Sequence, residues 1–212
     1  MSDPAFRAAQ HAGIRLPHIA PFNALVDELR TDADRGWMPY VAPVYGGVKA
    51  RVLSVLRDPG PKTQDDDGSG MLCCENDDDA AQYMSELLAA AGVPVTELVP
   101  WNAYPWYMHV RGTSKVPSAA QLDSGVEPLR RIIELMPDLR VVILHGGTAH
   151  DGWDRFEKRH RSVAARYRDL RTYHTARTTF RHRDPAVRES RHQHLRDTFA
   201  ELATILREQD AA

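Results

Sequence analysis

Cysteine is scarce in this sequence. The 212 residues include two cysteines, Cys73 and Cys74, which are adjacent. Neighbouring cysteines rarely form a disulfide with each other, and two thiols are too few for a four-thiolate zinc or iron–sulfur site. We therefore expect a reducing compartment and no structural metal. Separately, we expect no metal in the functional site and no cofactor.

Long apolar segments are also missing. No run approaches the roughly 18 apolar residues that can span a bilayer. The opening residues, MSDPAFRAAQHAG, have no apolar region of the kind that a secretory signal peptide needs. We therefore expect a cytoplasmic protein that does not contact a membrane.

The chain as a whole has almost no excess of charge of one sign, but acidic and basic residues are concentrated in different segments. The net charge is −2, yet the segment TQDDDGSGMLCCENDDD carries seven acidic residues. Between residues 151 and 196, Lys and Arg outnumber Asp and Glu by 13 to 6. This asymmetry is typical of an anion-binding C-terminal half, although arginines on a solvated helix face give the same pattern.

Apolar strand-like stretches alternate with amphipathic helices along the chain. The predicted strands are ARVLSVLR, VTELVPW, LRVVILHGG and DLRTYHTA, and a helix follows each of them. Asn76 or Asp77 is expected to cap the first of these helices, and Gly92 to end it. Four such alternations predict a three-layer α/β/α fold with a central four-stranded parallel sheet.

The length and composition are those of one soluble globular domain. With 42% hydrophobic and 26% charged residues, the chain can bury one sizeable core. We expect residues 1–212 to form a single domain, with a helical or irregular extension over 1–48 and the α/β core over 49–208. We also expect a monomer.

Polar residues follow all four predicted strands. Asp58 follows the first strand, Asn102 the second and HGG at 145–147 the third, while His174 lies at the end of the fourth. In parallel sheets of this type, binding groups collect beyond the carboxyl ends of the strands. Taken singly, each has an ordinary structural explanation: Asp58 as a turn residue, Asn102 as a buried amide and His174 as a surface histidine.

Four segments together resemble the uracil-DNA glycosylase superfamily. They are LRDPGP, VPWNAYPW, VVILHGGTAH and TYHTARTTFR, in this order, and the resemblance covers residues 50–207. It implies a uracil-DNA glycosylase-like fold. It also implies that Asp58 is the water-activating acid, Asn102 the amide that reads the base, and His174 the catalytic histidine that donates to the base carbonyl.

The resemblance assigns further substrate contacts and also marks departures from the family. The leading glycine of the first motif is replaced by Leu56, or by Arg57 if the position is shifted by one, and Arg57 is an expected substrate contact. Gly60, a further expected contact, replaces the tyrosine with which uracil-specific members exclude thymine. In place of the aromatic residue that stacks on uracil we find the stretch MLCC, with Cys73 as the expected contact. Thr175 and Ala176 replace the Pro and Ser of the third motif. These changes predict a broad or weakened activity.

The segment after His174 is where the superfamily inserts a wedge into the duplex. Here it reads TARTTFRHR, in which Arg177, Thr178 and Arg181 are the predicted DNA contacts and Phe180 is an available wedge. His192 and His194 form an H-x-H pair, but residues two apart on a helix face away from each other, which disfavours a metal.

Two functions are consistent with these residues. The first is a metal-independent DNA glycosylase that removes a deaminated or damaged base in DNA repair. The second is a protein that binds DNA, or a nucleotide, without cleaving a glycosidic bond.

Overall fold

The computed structural model describes residues 1–32, 34–64, 68–109 and 116–210, so that Asp65, Asp66 and Asp67 of the acidic segment lie outside the described residues. The strands are β1 (Tyr40–Val41), β2 (Val52–Leu56), β3 (Met71–Leu72), β4 (Leu98–Asn102), β5 (Val141–His145) and β6 (Arg168–Thr172). The helices are α1 (Pro4–Ala12), α2 (Ala20–Leu29), α3 (Asp79–Ala91), α4 (Ala119–Glu134), α5 (Gly147–Arg159), α6 (Arg161–Ala164) and α7 (Pro185–Asp210). Within these ranges, no helix combines the length and the hydrophobicity that crossing a membrane requires.

Four strands form one parallel sheet in the order β4-β2-β5-β6. Strands β4 and β5 are buried throughout and β2 almost throughout, as expected for strands that are covered on both faces. Strand β6 lies at an edge, and only Leu170 and Thr172 of its five residues are buried. The predicted α/β class and the four-stranded parallel sheet are confirmed.

The strand order also fixes which face each helix covers. From β2 the chain crosses to β4 through α3, whereas from β4 and β5 it crosses in the opposite direction through α4 and α5. Because such crossovers are right-handed, α3 lies on one face and α4 and α5 on the other. The packing agrees, since α4 contacts α5 and α3 contacts α7. The connections that leave the neighbouring strands β2 and β5 therefore cover opposite faces of the sheet, and the carboxyl end of β2 is where a ligand site is expected.

Three elements were not predicted from the sequence: α1, β1 and β3. Strands β1 and β3 pair in parallel, with Tyr40 opposite Met71 and Val41 opposite Leu72. Two-residue strands are too short to show the alternation that identifies a strand. Phe22 of α2 is fully buried in the same hydrophobic cluster as the main sheet, so that residues before 49 contribute directly to the core.

The start of α3 differs by one or two residues from the prediction. Asp78, and not Asn76 or Asp77, caps the helix, because its Oδ1 accepts hydrogen bonds from the amides of Ala80 and Ala81 at 3.0 and 2.9 Å. An acidic run offers several chemically equivalent caps, so the sequence alone does not select among them. Gly92 ends the helix as predicted, in the left-handed conformation with φ of 68°.

Candidate functional site

The loops that follow β2 and β4 are tied together at the carboxyl edge of the sheet. Leu56, the last residue of β2, lies opposite Asn102, the last residue of β4. The ladder continues into both loops, because the Ala103 amide donates to the Leu56 carbonyl at 2.8 Å and the Tyr104 amide donates to the Arg57 carbonyl at 3.1 Å. This register places Asp58 and Asn102 at the same edge.

Asp58 is the most enclosed charged group of the site. Its side chain has no exposed surface, and Arg57 donates from Nε to its Oδ1. On the other side, Nε2 of His109 lies 2.5 Å from Oδ2, although the ring N–H is not aligned for a hydrogen bond. The carboxylate is therefore held between a guanidinium and an imidazole.

The residues after Asp58 form a rigid turn. Pro61 begins a short 3₁₀ helix that runs to Thr63, whose hydroxyl and amide both donate to the Gly60 carbonyl, at 2.6 and 3.0 Å. A Cβ atom placed on Gly60 would meet no atom within 4 Å. The two prolines and the glycine thus fix the chain next to Asp58 and leave open space at Gly60.

His109 was not predicted as a site residue. It lies in the loop after β4, seven residues beyond Asn102, where no strand end or motif marks it. Its ring makes an edge contact with Tyr107 at a centroid distance of 5.6 Å, and Tyr107 makes a similar contact with Trp37 at 6.0 Å. An aromatic series that begins in the N-terminal part of the chain therefore supports His109, and only tertiary structure reveals it.

His174 follows β6 and packs against the glycine that follows β5. Gly146 has φ of 85°, and its amide donates to the Thr172 carbonyl at 2.7 Å. A Cβ atom on Gly146 would lie 3.3 Å from the Cβ of His174. The histidine therefore depends on a backbone conformation that favours glycine.

His174 is held in one neutral form. The Ala176 amide donates to its Nδ1 at 3.0 Å, so that in the neutral ring the proton is on Nε2. Burial lowers the pKa of His174, as does the positive charge of Arg57, against the opposing effect of Asp58 and Asp78. Near neutral pH the ring is an uncharged donor through Nε2.

Two buried amide groups near this edge have unused hydrogen-bonding capacity. Among the described residues, Nδ2 of Asn102 and Oδ1 of Asn76 have no hydrogen-bond partner, and both residues are more than nine-tenths buried. Leaving such a group unpaired costs about 1–3 kcal/mol. Asn76 is otherwise anchored, because its Nδ2 donates to the Met71 carbonyl at 3.0 Å. Asn102 in particular presents a donor that a carbonyl oxygen would satisfy.

Cys73 is buried beside its neighbour. Its side chain hydrogen-bonds to Cys74 and accepts from the Glu75 amide at 3.4 Å. The thiol of Cys74 and burial raise the pKa of Cys73. Cys73 is therefore a buried, uncharged thiol. Its contact with substrate stays a prediction.

The segment after His174 lies against α3 and α7. Thr175 donates from its hydroxyl to the Ala80 carbonyl at 3.0 Å, and Nε of Arg177 lies 2.9 Å from the carboxylate of Asp79. Arg177 is nevertheless three-quarters exposed, and Thr178 and Arg181 are exposed as well. All three predicted DNA contacts are thus on the surface.

Phe180 packs between α3 and α7. Its ring stacks on His192 at a centroid distance of 3.9 Å and an angle of 7°, and it contacts the edge of Tyr83. The role of Phe180 as an available wedge stays a prediction, and in this structure its ring is engaged by these two side chains. His192 is also bonded to the Tyr83 hydroxyl at 2.7 Å, while His194 contacts the Arg171 carbonyl.

An acidic cleft of about 600 Å³ borders this region. Its lining includes Glu75, Asn76, Asp77, Asp78 and Asp79. In the described ranges, no three His, Cys, Asp or Glu side chains are grouped as a metal site would require. The cleft therefore contributes negative charge beside the His174 segment.

Comparison with known proteins identifies the fold. No protein-family model and no curated protein matches the sequence. The structure is similar to the crystal structure of wild-type SMUG2 from Pedobacter heparinus, with a TM-score of 0.50 and 12% sequence identity over 93% of this chain and 87% of that one. SMUG2 is a member of the uracil-DNA glycosylase superfamily. The fold is uracil-DNA glycosylase-like. At this identity the likeness concerns the fold alone.

Proposed function

We propose that this protein is a DNA glycosylase that hydrolyses the N-glycosidic bond of a deaminated or damaged base. One observation supports the proposal: a buried carboxylate (Asp58), an amide donor without a partner among the described residues (Asn102) and a neutral imidazole (His174) each stand at the carboxyl end of a strand in one parallel sheet. SMUG2 supports DNA as the substrate class.

The chemistry of base excision suits these three groups. Breaking the glycosidic bond leaves positive charge on the sugar and negative charge on the departing base. The Asp58 carboxylate would stabilise the sugar cation and orient the water that adds to it. The Nε2–H of His174 would donate to the base carbonyl that gains negative charge, and Nδ2 of Asn102 would donate to a carbonyl on the same base.

The neutral form of His174 suits this donor role. A donor that is already uncharged and fixed in orientation requires no proton loss or rotation before it stabilises the developing charge. The Ala176 amide fixes that orientation. Thr175 and Ala176 therefore replace the family's Pro and Ser without leaving Nδ1 of His174 unpaired.

A second candidate function is binding of DNA or a nucleotide without excision. The observation that favours it is the enclosure of Asp58, whose two oxygens already face Arg57 and His109. A carboxylate in that position would need to retain access to a water molecule in order to act on the sugar.

Single-turnover excision separates the two functions. We would measure release of uracil, hypoxanthine, xanthine and mismatched thymine from oligonucleotides, with Asp58→Asn as the test variant. Asp138→Asn is the matched control, because Asp138 is exposed three residues before β5, at the opposite end of the sheet. Excision by the wild type and the control, lost in Asp58→Asn with DNA affinity unchanged, would support the glycosylase.

The remaining outcomes favour the alternatives. Salt-dependent DNA binding without release of any of the four bases would favour the binding protein. The absence of salt-dependent DNA binding would remove both functions in their DNA form and leave a nucleotide-sized ligand at Asp58, Asn102 and His174.

A further inference from the structure

Asp58 has a second neighbour that the motif around it does not supply. Nε2 of His109 lies 2.5 Å from Oδ2, and the His109 side chain is 12% exposed. Arg57 occupies Oδ1. The two contacts involve different oxygens of the carboxylate, so that together they restrict its rotation.

The position of His109 in the chain links it to base recognition. It lies in the loop that follows Asn102, and this loop is joined to the Asp58 loop by the Ala103 and Tyr104 amides. The Tyr107 amide donates to the Trp37 carbonyl at 2.8 Å, which ties the loop to the segment before β1. One segment therefore carries both the amide Asn102 and the partner of Asp58.

We infer that His109 is a positioning residue for Asp58, an inference that rests on the proposed function. A hydrogen bond from the imidazole Nε2–H to Oδ2 across this 2.5 Å contact would fix the direction in which the other lone pairs of the carboxylate point. An acid that orients water must be held to within a fraction of an ångström, because small misplacements of reacting groups are costly. Arg57 alone, attached next to Asp58 in the chain, restrains one oxygen.

Two variants of His109 test the inference. His109→Ala should slow single-turnover excision by about 10- to 100-fold at saturating protein. The dissociation constant for DNA should stay within about twofold of wild type, since His109 acts on the acid and not on the nucleic acid. His109→Gln should recover most of the rate, because its side-chain amide can donate to Oδ2 from a similar reach. His11→Ala is the matched control, since His11 is exposed on α1.

Three kinetic results would overturn the inference. They are a wild-type rate in His109→Ala, a glutamine variant as slow as the alanine variant, and a loss of DNA affinity that accounts for the whole loss of rate. Circular dichroism and thermal melts establish that each variant is folded.

A spectroscopic measurement keeps the test independent of activity. In ¹⁵N-histidine-labelled protein, the tautomer of His109 should be Nε2–H, with a proton signal that is lost in Asp58→Ala. If the wild type excises no base, the proposed function fails, and this spectrum alone decides whether Asp58 holds His109. A His109 ring that exchanges freely between tautomers in the wild type would refute the positioning role in either case.

Discussion

The buried His145 should make the stability of the protein depend on pH. It ends β5, is 1% exposed, and its Nε2 lies 3.0 Å from the Ser54 hydroxyl of β2. Burial, with smaller contributions from His174 and His150, lowers the pKa of His145 from 6.5 to about 3. Because the His145 imidazole binds a proton more readily in the unfolded chain, the folded state should lose stability as the pH falls.

The size of the effect follows from the two pKa values. Stability from this group is complete above pH 6.5 and is lost progressively down to pH 3, where the loss levels off. With about 1.4 kcal/mol for each unit, the full loss approaches about 5 kcal/mol, and the loss at pH 4 is roughly 3 kcal/mol. Such a change is a large part of the stability of a typical domain, about 5–15 kcal/mol.

Urea unfolding between pH 4 and pH 8 measures this loss. His145→Gln keeps a polar contact with Ser54 but cannot take up a proton, so its stability should decline with acid more gently than that of the wild type. The difference between the two proteins should grow to roughly 3 kcal/mol at pH 4 relative to pH 7.5. His182→Gln, at an exposed position, is the control. Parallel pH profiles for His145→Gln and the wild type would refute the reasoning.

Three further predictions concern the site itself. Gly146→Ala, with φ of 85° and its new Cβ 3.3 Å from His174, should lower the free energy of unfolding by about 1–3 kcal/mol and slow excision, as denaturant titration and kinetics would show. Gly60→Ala should leave stability unchanged, because that Cβ meets open space, whereas Gly60→Tyr should narrow a broad base preference toward uracil in the excision panel. Arg177→Ala should weaken DNA binding and reduce the slope of log affinity against log salt by about 1, while Asp79→Ala should strengthen binding, both by fluorescence anisotropy. An unchanged slope in Arg177→Ala would count against a phosphate contact.

The central sheet could be predicted because each of its strands carries its own signal. ARVLSVLR and LRVVILHGG are apolar on both faces, and the helices between them have clear periodicity. The carboxyl ends of such strands must meet at one edge, so Asp58, Asn102 and His174 could be placed there from order alone. Strands of two residues are too short to show an apolar or alternating pattern, and for that reason β1 and β3 were not predicted.

The partners of the site residues could not be predicted, because they come from segments distant in sequence. His109 reaches Asp58 across 51 residues, and Phe180 is stacked on a helix that begins after it. Pairings of this kind depend on loop paths that no local pattern encodes. The order of the strands therefore predicts the sheet edge at which Asp58, Asn102 and His174 lie, but not the ionic partners of Asp58.

The acidic residues at the start of α3 border a surface that is proposed to bind DNA. Asp78 and Asp79 lie at the start of α3, beside the segment that follows His174, and their uncompensated charge would repel phosphates. Asp79 is paired with Arg177, and Asp78 accepts two helix amides as the α3 cap. Asp78 also opposes the lowering of the His174 pKa, yet burial and Arg57 outweigh it and the ring stays neutral. The acidic residues nearest the site are therefore engaged by the fold, and phosphate binding would compete with Asp79 for Arg177.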